Sequence, residues 1–342
     1  MRINLGLQGG GAHGAFTWGV LDRLLQEPEL EIASISGTSA GALNAAALKS
    51  GWITGGAEAA RENLDWLWAQ MGALRDDRLP HWMRAWLPDA GQTGHMLSLS
   101  PPYLMADALS SLTTPYAMGP IYENPLRRIV DRFHYDRVCA DQGPVLFVGA
   151  TCVRDGKIRI FQNEQITSDA LLASACLPTL FQSVECRDPK TGKQEAFWDG
   201  GYTGNPALFP MFRDDLPADI VVVNINPLER NSQPVTPHEI QNRINEISFN
   251  SSLLRELRAI TFVQRLIEQG RLSDDAMRSP RIHMIADDAL MTRLSVATKL
   301  VPIPHVLQEL KDAGRVAAET FLAQHRADIG VRQTSDLRGM FG

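Results

Sequence analysis

Residues 34–44 read SISGTSAGALN, and at their centre Gly37-Thr38-Ser39-Ala40-Gly41 is a G-x-S-x-G. A β-rich run, Glu31 to Ser36, leads into it, and an alanine-rich run, Ala40 to Leu48, leads out. Strand, tight turn and helix are the context that makes this pentapeptide a nucleophile elbow. The glycines have a steric purpose. The turn is so sharp that side chains two residues either side of the serine would collide, and Gly37 and Gly41 avoid this. The serine Oγ is then held above a sheet at a helix N-terminus, where the dipole favours developing negative charge. The alternative is a glycine-rich turn carrying a surface serine, and the flanking sequence has to decide.

Upstream, Arg2 to Gln8 (RINLGLQ) predicts a first strand. Gly9-Gly10-Gly11-Ala12-His13-Gly14 follows, then AFTWGVLDRLLQE, with Phe16, Val20, Leu21, Leu24 and Leu25 on one helical face. Backbone N–H groups in such a loop can converge on an anion. The loop also fits the G-x-G-x-x-G dinucleotide fingerprint, which needs an acid at the end of the next strand. Glu31 stands at the start of that strand, and its end carries Gly37-Thr38-Ser39, so the dinucleotide reading fails there. In a right-handed parallel βαβ unit, the glycine loop and the elbow both lie at the carboxyl edge of the sheet.

Downstream, residues 52–123 change character. Trp66, Trp68, Trp82 and Trp86 fall here, with Trp52 at the edge, among prolines and short helical runs. The expectation is a helical cap over the elbow with an apolar acyl-chain groove, one that touches membrane. For any single tryptophan ordinary packing is the stronger expectation, and His81 and His95 are expected at the surface or satisfied. Asn124-Pro125 then signals a helix start running through LRRIVDRF. Residues 144–153 predict a buried strand, and Arg154 to Lys157 a turn into Ile158–Phe161. Residues 168–176 predict a small-residue helix, and 183–198 a second hairpin. Its Gly192-Lys193 lacks the rest of a P-loop. That hairpin delivers Asp199-Gly200-Gly201, an acid on a tight turn beside Phe197 and Trp198; the alternative is a solvated Asp-Gly turn. Residues 218–226 predict a buried strand. Residues 236–269 predict a long helix with Leu253, Leu254, Leu257, Ile260, Val263 and Leu266 at helical spacing. Arg281–Ala286 predicts a last strand and residues 303–325 a closing helix.

Composition narrows the class. At 44% hydrophobic and 21% charged over 342 residues, the chain can fill the core of one large α/β domain or two smaller ones. A net charge of −6 with no basic run argues against nucleic acid as a partner. Cys139, Cys152, Cys176 and Cys186 lack metal-ligand spacing and are expected to be reduced thiols in a cytosolic protein. No signal peptide is expected, and no run reaches the ~18 apolar residues of a bilayer span.

Three motifs in order, GGGAHG, GTSAG and DGG, resemble the patatin-like phospholipases, which are serine lipid acyl hydrolases. ASACLPTLF before the acid and Gly204-Asn205-Pro206 after it extend the likeness, which runs from about residue 3 to about 230. Residues 236–342 look like the C-terminal region of bacterial members. The resemblance implies a single three-layer α/β domain: a central, mostly parallel sheet flanked by helices, with the 52–123 insertion as cap and 236–342 as helices packing on the sheet. It implies Ser39 as nucleophile and Asp199 as its base, a dyad without histidine. Gly10 and Gly11, within the Gly9 to Gly14 loop, are implied as oxyanion donors. Neither metal nor cofactor is implied. A free Asp titrates near about 3.9, so a dry setting is needed to make Asp199 a base. One departure is His13, where the family usually carries Arg or Lys. His13 is expected either to make a loop hydrogen bond or to titrate near neutral pH. The expected activity is metal-independent hydrolysis of lipid esters, of phospholipase A, lysophospholipase or carboxylesterase type. The alternatives are an acyltransferase or thioesterase using the same dyad, an intracellular polyester depolymerase, or a non-catalytic lipid-binding protein. The expected partners are a lipid or other ester substrate and, peripherally, a membrane. Cytoplasmic location is the accompanying expectation, and the sequence does not set the oligomeric state.

Overall fold

The computed structural model describes residues 1–72, 88–105, 113–230, 233–235, 237–273 and 278–341. Trp82, Trp86 and His81 lie outside the described residues. Eight strands form one sheet: β1 (Arg2–Leu7), β2 (Glu31–Thr38), β3 (Val145–Cys152), β4 (Ile158–Gln162), β5 (Val184–Arg187), β6 (Gln194–Asp199), β7 (Asp219–Asn224) and β8 (Arg281–Ala286). Their order is β5-β6-β3-β2-β1-β7-β8, with β4 also paired to β3. The run β3-β2-β1-β7-β8 is parallel throughout. β4 and β6 pair antiparallel with β3, and β5 pairs antiparallel with β6. β2 after its first residue and all of β7 are buried, as parallel strands covered on both faces must be.

The sequence places the helices on both faces. α1 (Gly14–Leu24), α2 (Ala40–Gln70), α3 (Ala90–Ser98), α4 (Ser168–Ser174), α5 (Pro237–Glu268), α6 (Val296–Leu300), α7 (Pro304–His325) and α8 (Leu337–Phe341) are the ones used below. One core joins β1, β2 and β3 side chains to α1, α2, α4 and α7. The other joins Phe147, Ile220, Val222 and Ile282 to Leu253, Leu257 and Ile260 of α5 and Leu337 of α8. The result is the expected three-layer α/β architecture with a mostly parallel sheet.

Three local readings change. Asn124 Oδ1 accepts the Leu126 N–H at 3.0 Å in the turn before the helix, but Leu126 is the N-cap and the helix is only Arg127–Val130, so Asn124 is not the cap and Pro125 is not its first residue. Residues 52–70, assigned from sequence to the start of the cap, continue α2 past a kink at Gly55 and Gly56. Trp68 there is 2% exposed, stacks on Trp18 at 6.0 Å and donates to Asn44 Oδ1 at 2.9 Å. It is core, and Trp66 makes an edge contact with Phe133.

The third change concerns α1, which is buried almost all round rather than on one face. α7 crosses its outer side at backbone contact. A Cβ on Gly19 would stand 1.9 Å from the Lys311 carbonyl oxygen, and one on Gly314 2.1 Å from that of Phe16. No side chain fits at either point, so Gly314→Leu should force the helices apart. Overpacking of this kind costs about 1–3 kcal/mol, so a lower urea midpoint at unchanged slope is expected. An unchanged midpoint would show that the crossing opens freely.

Candidate active site

The elbow forms where β2 ends. Ser39 has φ 54° and ψ −124°, a conformation costing a non-glycine residue about 1–3 kcal/mol. The surrounding backbone imposes it. A Cβ on Gly41 would stand 2.2 Å from the Leu7 carbonyl oxygen, and one on Gly37 2.7 Å from that of Gly41. The Ser39 N–H donates to Ser174 Oγ at 2.9 Å, and Ser174 Oγ donates to Gly149 O at 2.7 Å. α4 thereby anchors the turn.

β1 and β2 are neighbours in register, Leu7 beside Gly37, so the loop after β1 lies against the elbow. A Cβ on Gly9 would be 2.6 Å from that of Ser39, and one on Gly14 2.7 Å from that of Ala40. Buried amides hold this loop. The Gly9 N–H donates to Asn205 Oδ1 at 2.6 Å, and Gly9 O accepts from Asn226 Nδ2 at 2.8 Å. Gln8 Oε1 accepts from the backbone N–H groups of Ile225 and Asn226 at 2.9 and 3.1 Å. Among the described residues, neither the Gly10 nor the Gly11 N–H donates to a protein acceptor. Gly11 has φ 58°.

His13 has a hydrogen-bond partner that is not titratable. Its Nε2 lies 2.8 Å from Thr298 Oγ1, whose own proton goes to Ser295 O. The network therefore assigns the ring proton to Nε2. Burial, then Lys299, then Arg230 hold its pKa well below the ordinary value. His13 is a neutral loop hydrogen-bonder, and the expectation that it titrates near neutral pH is corrected.

Asp199 arrives by a different route. Ala150 and Thr151 of β3 pair with both β4 and β6. One residue cannot pair twice on one edge, so β6 lies on the edge of β3 opposite β4. That is the edge β2 occupies as far as Thr38 beside Gly149. β6 runs antiparallel and ends with Asp199 beside Ala150. β2 and β6 thus meet head on, and Asp199 comes up against the elbow. A Cβ on Gly200 would touch Thr38 Cγ2 at 3.0 Å.

The Asp199 side chain is fully buried. Its Oδ1 accepts from the Gly201 N–H at 2.7 Å, while Oδ2 has no hydrogen bond of normal geometry. Burial raises its pKa to about 7, opposed by the Gly201 N–H and by the Ser39 hydroxyl acting as donor. The serine is therefore within influence of the carboxylate without a closed bond to Oδ2, and such contacts often tighten only around substrate. Phe197 is buried, as expected, but the covering includes Phe249 of α5. Its ring would touch a Cβ on Gly201 at 2.4 Å and meets Tyr202 edge-on. Among the described residues no histidine bonds Ser39 or Asp199, His95 lies exposed on α3, and no side-chain cluster could hold a metal.

Sequence reading named Ser39, Asp199, Gly10, Gly11, Gly37 and Gly41, and these come together. It missed Ser174, Asn226 and the Thr298-Lys299 pair. Asn224-Ile225-Asn226 at the end of a predicted buried strand was the available signal for Asn226, a pair of amides where the sheet's carboxyl edge opens.

A family model described as patatin-like phospholipase matches residues 5–221. Among solved structures the chain is similar to VipD from Legionella pneumophila, at 16% identity and a TM-score of 0.42, over 95% of this chain and 67% of that one. It is also similar to a chain of the heterodimeric ExoU–SpcU complex from the type III secretion system of Pseudomonas aeruginosa, at 18% identity and a TM-score of 0.29, over 98% of this chain and 64% of that one. The chain therefore spans about two thirds of the length of each. No curated protein matches.

The raised carboxyl has a consequence for stability. Between about pH 4 and about pH 7 the unfolded chain has released the Asp199 proton and the folded chain keeps it. Rising pH therefore favours unfolding across that window. Asp199→Asn removes the effect. Measured against wild type by urea unfolding, the variant should gain on the order of 4 kcal/mol in relative stability from pH 4 to pH 8. Parallel pH profiles for the two proteins would mean that Asp199 is not held neutral.

Proposed function

Because the chain belongs to the patatin-like phospholipase family, we propose that it is a metal-independent lipid acyl hydrolase of phospholipase A, lysophospholipase or carboxylesterase type. It works through a Ser39–Asp199 dyad and an acyl-enzyme. The observation that carries this reading is the buried Asp199 carboxyl, its Oδ2 unbonded, abutting a serine held at positive φ on an elbow.

Ser39 Oγ attacks the ester carbonyl, and Asp199 Oδ2 takes the hydroxyl proton. A carboxyl titrating at about 7 is a far better base than a solvated one and is substantially ionised at neutral pH. The Gly10 and Gly11 N–H groups, which have no protein acceptor among the described residues, receive the oxyanion. One lost donor of this kind typically costs about 100- to 1000-fold. The alcohol departs with the proton from Asp199. Water then attacks the acyl-enzyme with Asp199 again as base, releasing the acid and restoring Ser39.

Exposed Met96, Leu99, Leu104 and Met105 on the described part of the 52–123 segment support a lipid substrate. Among the described residues no helix is long and apolar enough to cross a membrane, so the contact proposed is peripheral.

The test is hydrolysis of p-nitrophenyl esters of increasing chain length by wild type, Ser39→Ala and Asp199→Asn, with excess chelator, alongside fluorophosphonate labelling located by peptide mass spectrometry. Losses of about 1000-fold or more in both variants, chelator resistance and label on Ser39 are expected. Hydrolysis persisting in Ser39→Ala would sink the mechanism.

A further inference from the structure

α6 lies beyond the family match, which ends at residue 221, yet it meets the glycine loop directly at two points and at a third through Asn226. Thr298 bonds His13. The Lys299 carbonyl oxygen lies 2.3 Å from where a Cβ on Gly11 would stand. Lys299 Nζ donates to Asn226 Oδ1 at 2.8 Å, and Nδ2 of the same amide holds Gly9 O. Asn226 Oδ1 is itself 3.6 Å from the position of a Cβ on Gly10. The ammonium is thus one side chain removed from the Gly9 and Gly10 backbone.

Its own surroundings leave the charge uncompensated. An ammonium has three donors. Lys299 uses one, on a neutral amide, and has no ion pair among the described residues. Glu246 of α5 is the acid whose field reaches it, but that carboxylate is committed to Arg230 at 2.6 and 2.8 Å and to Arg243 at 3.2 Å. Arg230 adds repulsion, and the facing His13 is neutral. Three cations therefore surround one anion behind a pair of backbone donors. A fixed positive excess in a partly desolvated place stabilises negative charge that develops nearby without needing to reorganise.

We propose that Lys299 is a positioning residue of the acyl-transfer site: through Asn226 it fixes the Gly9-Gly10-Gly11 backbone and holds an unpaired positive charge behind the two amides that receive the oxyanion. The inference rests on the reading of that loop as the oxyanion donor. It assigns a part in the chemistry to a segment outside the matched family region.

The charge is also titratable. Burial lowers the Lys299 pKa to about 8, with Arg230 adding to the effect and Glu246 opposing it. The positive charge is present below that value and is lost as pH rises through it. Asp199 gains its negative charge through about 7, so the rate profile should be a bell with its alkaline limb near 8.

The experiment measures kcat and KM on one p-nitrophenyl ester from about pH 5 to about pH 10 for wild type, Lys299→Met and Lys299→Arg. Urea unfolding and inhibition by a trifluoromethyl ketone accompany each. Lys299→Met removes a partly desolvated charge that has no ion pair among the described residues, so the variant is expected to fold. It should lose about 10- to 100-fold in kcat with KM moving far less, bind the ketone more weakly by a similar factor, and show no alkaline limb. Lys299→Arg should keep most of the rate and carry its limb to higher pH. Wild-type kcat in Lys299→Met, or a loss that follows the folded fraction with the alkaline limb intact, would overturn the proposal and leave the dyad standing. Absence of both ester hydrolysis and fluorophosphonate labelling in wild type would overturn the reading of the loop, and the role of Lys299 with it.

Discussion

The candidate site depends on a junction along one edge of β3. β2 runs parallel to β3 and stops beside Gly149; β6 comes from the opposite direction and stops beside Ala150. Two strands abutting on one edge leave no room for side chains where their ends turn away. Gly37, Gly41 and Gly200 stand at that point, each with backbone atoms where a Cβ would go. The strained Ser39 and the buried Asp199 are what the two strand ends carry. A third strand end, that of β1, brings the glycine loop alongside, and the Leu7 carbonyl presses directly on Gly41. The geometry is set by hydrogen-bonded ladders, which are stiff. The site therefore does not rely on loop entropy for its alignment.

Desolvation gives this junction its electrostatic character. Asp199 lies in the core with only the Gly201 N–H closed onto it, and burial pushes its pKa up to about 7. Beyond the glycine loop Lys299 is partly stripped of water, with no carboxylate paired to it among the described residues. Such isolated charges cost stability. Other buried charges are paired, as in Arg159 with Asp188 and Arg281 with Asp219.

Much of the architecture was legible along the chain. Strands β1, β2, β3, β7 and β8 are apolar runs bounded by turn residues, and the buried Leu253, Leu257 and Ile260 of α5 follow helical spacing. The glycines of GGGAHG and GTSAG mark close backbone approach, which is a local property. The residues that hold the loop were not legible in the same way. Asn205, Asn226 and Ser174 are small polar side chains of common type, and their function exists only in the partner each finds. α1 read as one-faced because periodicity reports the sheet side, while the backbone crossing with α7 depends on a helix nearly 300 residues later.

The resemblance to a known family implied a largely parallel sheet; the residues by themselves determined that a serine sits on a strand-to-helix turn and that an acid sits on a hairpin's end. Those conclusions need only steric rules and the alternation of residue types over short spans. Only the tertiary structure decided that the two strand ends share an edge of β3, that the Phe249 ring packs against Gly201 beside the acid, and that Thr298 and Lys299 lie against the glycine loop. The physical reason is range. Backbone conformation is chosen among neighbours in sequence, whereas desolvation and Coulomb fields are summed over neighbours in space, and these come from every part of the chain.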